Sequence, residues 1–212
     1  MRTDLPAQGH QGGQVMTDIY LVGVGGQGII TASRIIGDAA ISAGKNVLLS
    51  ETHGMAQRGG SVVCTARIGD AYSPLIPDGQ ADLILSFELL ETLRALCKAN
   101  KDTLVISSTE KIVPLSVSTH KLRYPTIEEV GIQAKKVARN FVPIEARRLA
   151  EDSAVPMSSN IVMVGALAGT GATGLERRDF EKAIDMNISR WAPENLDAFA
   201  KGFQITSKWN RV

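Results

Sequence analysis

Two hydrophobic periods alternate along this chain. Ile19–Val24 is a compact, β-branched run that ends in glycines and predicts a buried parallel strand. From Gln27 to Ala43 the apolar positions Ile29, Ile30, Ile35, Ile36, Ala39 and Ala40 recur at helical spacing, and Gly44 closes the helix. Val47–Ser50, Val62–Ile68, Ala81–Phe87 and Thr103–Ser107 read as further strands, with a helix from Glu88 to about Asn100. Between the third and fourth strands "YSPLIPDGQ" carries two prolines that rule out continuous regular structure.

The last third is mainly helical. Thr126-Ile-Glu-Glu129 has the form of a capping box, and 138–146 reads as one more strand. "SSNIVMVGALAG" predicts a serine-capped apolar helix, with Gly165 and Gly169 on one face where another backbone can approach. "ERRDFEKAID" and "PENLDAFAKGFQ" follow as amphipathic helices, the second with Pro193 in its first turn. The pattern predicts an α/β fold: a Rossmann-like, mostly parallel open sheet with helices on both faces and a helical C-terminal part. The step from the second to the third strand, through about ten residues without helical pattern, is the irregularity in that scheme.

Composition adds boundaries. The chain has 212 residues, of which 44% are hydrophobic and 21% charged, and its net charge is +1. That size fits one domain over 16–212, behind a polar leader at 1–15 expected to be disordered, with Met16 a candidate alternative start. The charge gives no electrostatic reason to expect nucleic acid or a membrane surface. The longest apolar run, at 161–169, is far below the roughly 20 residues a spanning helix needs. Two isolated cysteines, Cys64 and Cys97, fit a reducing, cytoplasmic compartment and leave no metal site, since a four-thiolate cluster needs about four ligands.

The chemistry concentrates in two stretches. Gly23-Val-Gly25-Gly26-Gln27-Gly28 satisfies the GxGxxG pattern between a strand and a helix. Gly23 permits the tight turn, Gly25 lets an anion approach backbone N–H groups, and Gly28 allows close packing at the helix N-terminus, whose positive end suits a phosphate. Glu51 lies 23 residues beyond Gly28, near where a ribose-binding carboxylate would sit. On the residues alone, a phosphate-containing ligand and a purely structural turn are both open. The second stretch, "THGMAQRGGS" at 52–61, follows the second strand with His53, Gln57, Arg58, Gly59, Gly60 and Ser61 where a nicotinamide domain would have a plain helix. An arginine between side-chain-free residues can extend its planar fork to a carboxylate or phosphate.

Together "GVGGQGIITASRIIG", "SETHGMAQRGGSV", "YSPLIPDGQADLILSFELLETLR" and, more weakly, "SSNIVMVGALAG" resemble the gamma-type component of the 2-oxoacid:ferredoxin oxidoreductases, most closely the small (beta) subunit of the indolepyruvate enzymes. The match runs from about Asp18 to Gly174. The resemblance implies a subunit of an enzyme that decarboxylates an aryl pyruvate, passes two electrons to ferredoxin and releases an acyl-CoA. It implies thiamine diphosphate, Mg and 4Fe-4S clusters in a larger partner subunit, because these 212 residues contain neither a GDG diphosphate motif nor enough cysteines. This chain would bind no cofactor tightly and be inactive alone. Coenzyme A is a candidate ligand of the glycine loop and of Glu51, with Gly59, Gly60 and Ser61 as further cofactor-binding candidates and His53, Gln57 and Arg58 facing the partner's active site. Ferredoxin would be reached through the complex, and a homodimer is an option for the isolated chain. Residues 1–15 have no counterpart in the resemblance, and His120 reads as a surface residue. The competing reading is a stand-alone NAD(P)- or nucleotide-binding protein resting on GxGxxG and Glu51.

Overall fold

The computed structural model describes residues 16–53, 59–112 and 123–208. The leader and His120 therefore lie outside the described residues. Six strands form one sheet in the order β2-β3-β1-β4-β5-β6: β1 Thr17–Val24, β2 Val47–His53, β3 Ser61–Ile68, β4 Ala81–Ser86, β5 Ala99–Ser108 and β6 Asn140–Ile144. β1, β4, β5 and β6 pair in parallel, while β3 is antiparallel to both β1 and β2. β2, reversed twice relative to β1, points with it, so β3 alone opposes the mostly parallel sheet. The irregular step in the sequence is this strand: β3 folds back into the space between β1 and β2.

Alternation along the strands divides the core. Ile19, Leu21, Leu83, Leu85 and Ile106 join a large apolar cluster with α1 (Ile29–Ser42), α5 (Ser159–Gly169), α6 (Arg177–Asn187) and α7 (Ala192–Ser207). Val22, Ile84 and Val105 face the other way, toward Ala95 of α2 (Leu89–Ala95) and Ala138, which follows α3 (Ile127–Val137). Helices thus cover both faces, and a short α4 (Ala146–Glu151) follows β6. Among the described residues no helix is long and apolar enough to cross a membrane.

The helix ends follow their local chemistry. Gly28, at φ 73°, caps α1, so the helix begins two residues later than Gln27. At the other end Lys45 N–H donates to Ala40 O and Gly44 N–H to Ile41 O, the paired bonds of a Schellman motif around the left-handed Gly44. Thr126 and Glu129 make the reciprocal capping box at α3. Ser158 stands at the N-cap of α5, but its side chain makes no capping bond, contrary to expectation. The helix expected to reach Asn100 is shorter: α2 ends at Ala95, a 3₁₀ turn covers Leu96–Lys98, and β5 starts at Ala99. Tertiary bonds draw the chain into the sheet there. Gly79 N–H donates to Cys97 O, Ala99 pairs with Ala81, and Thr103 Oγ1 donates to Ala81 O.

Two family-like stretches prove structural. Arg67 on β3 makes a two-pronged ion pair with Asp18 (2.7 and 2.9 Å) and donates to the carbonyls of Ser73 and Leu75. With Thr65 Oγ1 donating to Pro74 O, this fixes the "YSPLIP" loop against β3 without regular structure. Gly165 and Gly169 let α5 meet α7, since a Cβ on either would lie within 2.4 Å of Phe199 O or Phe203 O. Gly202 on α7 reciprocates against Val162 O, a partner the sequence pattern did not announce.

Candidate functional site

The strand order reverses between β1 and β4, and in open α/β sheets ligands bind outside the carboxyl ends of the strands at such a point. The glycine loop leaves β1 there. Gln27 holds it in shape: its Oε1 accepts from Val24 N–H at 2.8 Å, and its Nε2 donates to Phe87 O at 2.7 Å and to Glu110 Oε2 at 3.4 Å. One side chain therefore ties the end of β1 to the ends of β4 and β5. A Cβ on Gly23 would lie 2.9 Å from both Gln27 Oε1 and Phe87 Cβ, so that glycine serves close packing.

The loop also meets the run that follows "THGMAQR". Gly25 N–H donates to Gly60 O at 2.9 Å, and next to it Ser61 Oγ donates to Glu91 Oε2 at 2.7 Å. Gly25 is thus occupied within the chain rather than open to an anion. Gly26 (φ 105°) and Gly28 (φ 73°) hold the left-handed conformations that glycine tolerates, and among the described residues their N–H groups have no acceptor. Beside Gly28 stands Asn160, in the first turn of α5, whose Nδ2 donates to Gly28 O; a Cβ at Gly28 would come within 2.5 Å of that nitrogen. The N-termini of α1 and α5 therefore adjoin, concentrating partial positive charge beside the glycine loop.

The structure gathers Gly23, Gly25, Gly26, Gln27, Gly28, Gly60 and Ser61 into one neighbourhood, with Gly59 in the turn just before. It does not gather Glu51. That residue pairs with Cys64 of β3, which in turn pairs with Leu21 of β1, so two strand spacings, about 10 Å, separate Glu51 from β1. His53, the last residue of β2, pairs with Val62 and stands level with Gly23 across β3. Gln57 and Arg58 lie outside the described residues.

Across from the glycine side is a polar cluster that the sequence did not flag. Glu88 caps α2: its Oε2 accepts from Leu90 and Glu91 N–H, and its Oε1 accepts from Ile112 N–H. Glu91 accepts from Ser61 and from Arg94. Both carboxylates are buried, and burial pushes the Glu88 carboxyl above its ordinary range although three backbone N–H groups pull it down. Behind them Thr92 Oγ1 bridges the buried hydroxyls of Ser86 and Ser107. The signal was the run "SFELLET" at a strand end, with two carboxylates three apart. Both carboxylates are engaged in internal bonds, so this side provides support, whereas the glycine side can receive an anionic group.

Cys64 is fully buried, and burial pushes its thiol up to about 12; Cys97 is exposed. Among the described residues no group of three or more His, Cys, Asp or Glu side chains is placed to hold a metal.

Comparison with known proteins places this geometry in a family. The family model described as pyruvate ferredoxin/flavodoxin oxidoreductase matches residues 18–205. The chain is 43% identical over 187 residues to the indolepyruvate oxidoreductase subunit IorB of Archaeoglobus fulgidus, covering 88% of this chain and 93% of the relative. The crystal structure of the keto/oxoacid ferredoxin oxidoreductase gamma subunit from Geobacter sulfurreducens PCA shares the fold, with a TM-score of 0.67 at 21% identity, covering 91% of this chain and 99% of that one. The fold also recurs in 2-oxoglutarate:ferredoxin oxidoreductase from Magnetococcus marinus, with a TM-score of 0.70 at 18% identity, covering 91% of this chain but 31% of that longer one. A match over nearly the whole chain identifies it: the chain belongs to the pyruvate ferredoxin/flavodoxin oxidoreductase family.

Proposed function

We propose that this chain is the small subunit of a cytoplasmic 2-oxoacid:ferredoxin oxidoreductase whose substrate is an aryl pyruvate, indolepyruvate first. The observation that carries this reading is the 43% identity to an indolepyruvate oxidoreductase subunit along 93% of that subunit's length. The overall reaction converts the 2-oxoacid and CoA to an acyl-CoA and CO₂, releasing a proton and giving two electrons to ferredoxin.

Thiamine diphosphate supplies the stabilised carbanion and iron–sulfur clusters the electron path, and both belong to a larger partner subunit. The residues of this chain do not fit either group. It contains no GDG motif, and its two cysteines are a buried thiol held protonated and an exposed one.

This chain's part is to wall the active site and receive CoA. Gly26 and Gly28, at the joined N-termini of α1 and α5, offer N–H groups to a phosphate of CoA. The Gly25–Gly60 and Ser61–Glu91 bonds fix Gly60 and Ser61 beside them. In this reading Arg58 meets a carboxylate or phosphate at the partner's active site, and His53 and Gln57 help to order it. Glu51, distant from the glycine loop, takes no part with CoA in this arrangement.

The test is co-expression of the two subunits and an assay of indolepyruvate- and CoA-dependent ferredoxin reduction. Arg58→Ala should lower kcat/KM by at least tenfold while the two chains still co-purify. Unchanged activity and CoA dependence would remove that role, and preference for an aliphatic 2-oxoacid would overturn the substrate.

A further inference from the structure

Glu88 is longer than its capping task requires. Helix N-caps are met by the short side chains of Ser, Thr, Asp and Asn, which reach the N–H groups two and three residues on. Glu88 does this with one oxygen, at 2.8 Å from Leu90 N and 3.0 Å from Glu91 N. Its second oxygen accepts from Ile112 N–H at 3.2 Å, in the run that leaves β5. A carboxylate that is only 1% exposed is expensive to keep there, and burial already disfavours its charged form. The contact to Ile112 is what the extra methylene gains.

That contact bears on the site. Leu89 N–H donates to Glu110 O at 3.1 Å, and Glu110 Oε2 accepts from Gln27, which itself shapes the glycine loop through Val24 N–H and Phe87 O. The opposite flank is held by the same helical turn, since Glu91 accepts from Ser61 beside the Gly25–Gly60 bond. The first turn of α2 thus grips both backbone runs that border the glycine loop; on the β5 side the Leu89 amide holds Glu110 O and the Glu88 carboxylate holds Ile112 N–H.

We infer that Glu88 is a positioning residue, whose carboxylate locks the Thr109–Ile112 run to α2 and thereby sets Glu110 and Gln27 for the glycine loop. The kinetic part of this inference rests on the reading of that loop as the CoA-facing wall; the structural part does not.

Glu88→Asp separates the two tasks. Aspartate caps a helix well, but it is one methylene too short to reach Ile112 as well. In the full chain, hydrogen exchange at the Ile112 amide should quicken at least fivefold, with Leu90 and Glu91 protected as before and the melting temperature within about 2 °C of wild type. In the reconstituted two-subunit enzyme kcat/KM for CoA should fall at least fivefold, with subunit co-purification intact. An Ile112 amide that exchanges at the wild-type rate overturns the inference, and so does quickened exchange with unchanged kinetics. A wild-type complex without CoA dependence would instead defeat the reading of the glycine loop, and Ile112 exchange would still decide whether Glu88 holds the run.

Discussion

Replacing Gly202 by alanine tests the packing that holds the C-terminal helices on the sheet. A Cβ there would lie 2.0 Å from Val162 O and 2.9 Å from both Val162 C and Ala166 N. All three are backbone atoms of α5, so no rotamer change relieves the clash. Even bringing that contact to about 3.0 Å, below which Cβ atoms are essentially never found, requires α5 and α7 to separate by about 1 Å around Phe199, Leu167 and Val162, which are fully buried. A gap of that size forfeits a quarter to a half of each dispersion well across it, and overpacking of this kind costs about 3 kcal/mol. Alanine returns about 1 kcal/mol through helix propensity. The net loss is about 2 kcal/mol, or roughly 4–8 °C in melting temperature for a chain of this size. Gly131→Ala on α3 is the control. Its new methyl group meets only the Phe141 ring edge at 3.3 Å, so that variant should gain up to about 1 kcal/mol. Urea unfolding followed by circular dichroism measures both. A Gly202→Ala chain as stable as wild type, or a Gly131→Ala chain that falls equally far, would refute the close-approach argument.

Other outcomes follow from single sites. Native protein should react with a thiol reagent at one cysteine, Cys97, and denatured protein at two; at pH 8 a thiol with a pKa of about 12 is ionised to about one part in ten thousand. Arg67→Ala should cost about 3 kcal/mol, because it leaves the buried Asp18 carboxylate without its partner, and should speed amide exchange through residues 71–80. Glu88→Gln should change the pH dependence of stability with a definite sign. Because the folded-state carboxyl of Glu88 lies above its ordinary 4.5, its stabilising share is complete below that pH and is lost as pH rises through the folded value. The Gln variant has no such loss, so its stability relative to wild type should climb from pH 4.5 upward. A flat difference across that range in urea titrations would contradict the burial argument.

What was legible in the sequence was local. β1, α1, the Gly44 stop and the Thr126 capping box each lie within one stretch of pattern, and Gly165 with Gly169 announced a close approach through spacing alone. The partner in that approach, Gly202, was not legible, because it meets α5 only in the folded chain. The same distinction explains β3. Its alternation of side chains suits a parallel or an antiparallel neighbour equally, and its insertion between β1 and β2 is a matter of pairing. That insertion carried Glu51 away from the position that GxGxxG spacing suggested. Within the candidate site, the structure brings together the glycines and Ser61 that the motif named. Glu88 was not, because its second bond reaches a residue 24 positions on. Ser158 errs in the other direction: a capping residue type stands in the capping position without making the bond.

On the proposed function, this chain completes a 2-oxoacid:ferredoxin oxidoreductase whose redox cofactors are expected in a larger partner subunit. Its most direct test is ferredoxin reduction with indolepyruvate and CoA by the large subunit alone, this chain alone, and the two combined. Activity is expected in the combined sample only, rising to saturation as this chain approaches equimolar amount. Full activity from the large subunit alone, or turnover by this chain alone, would contradict it.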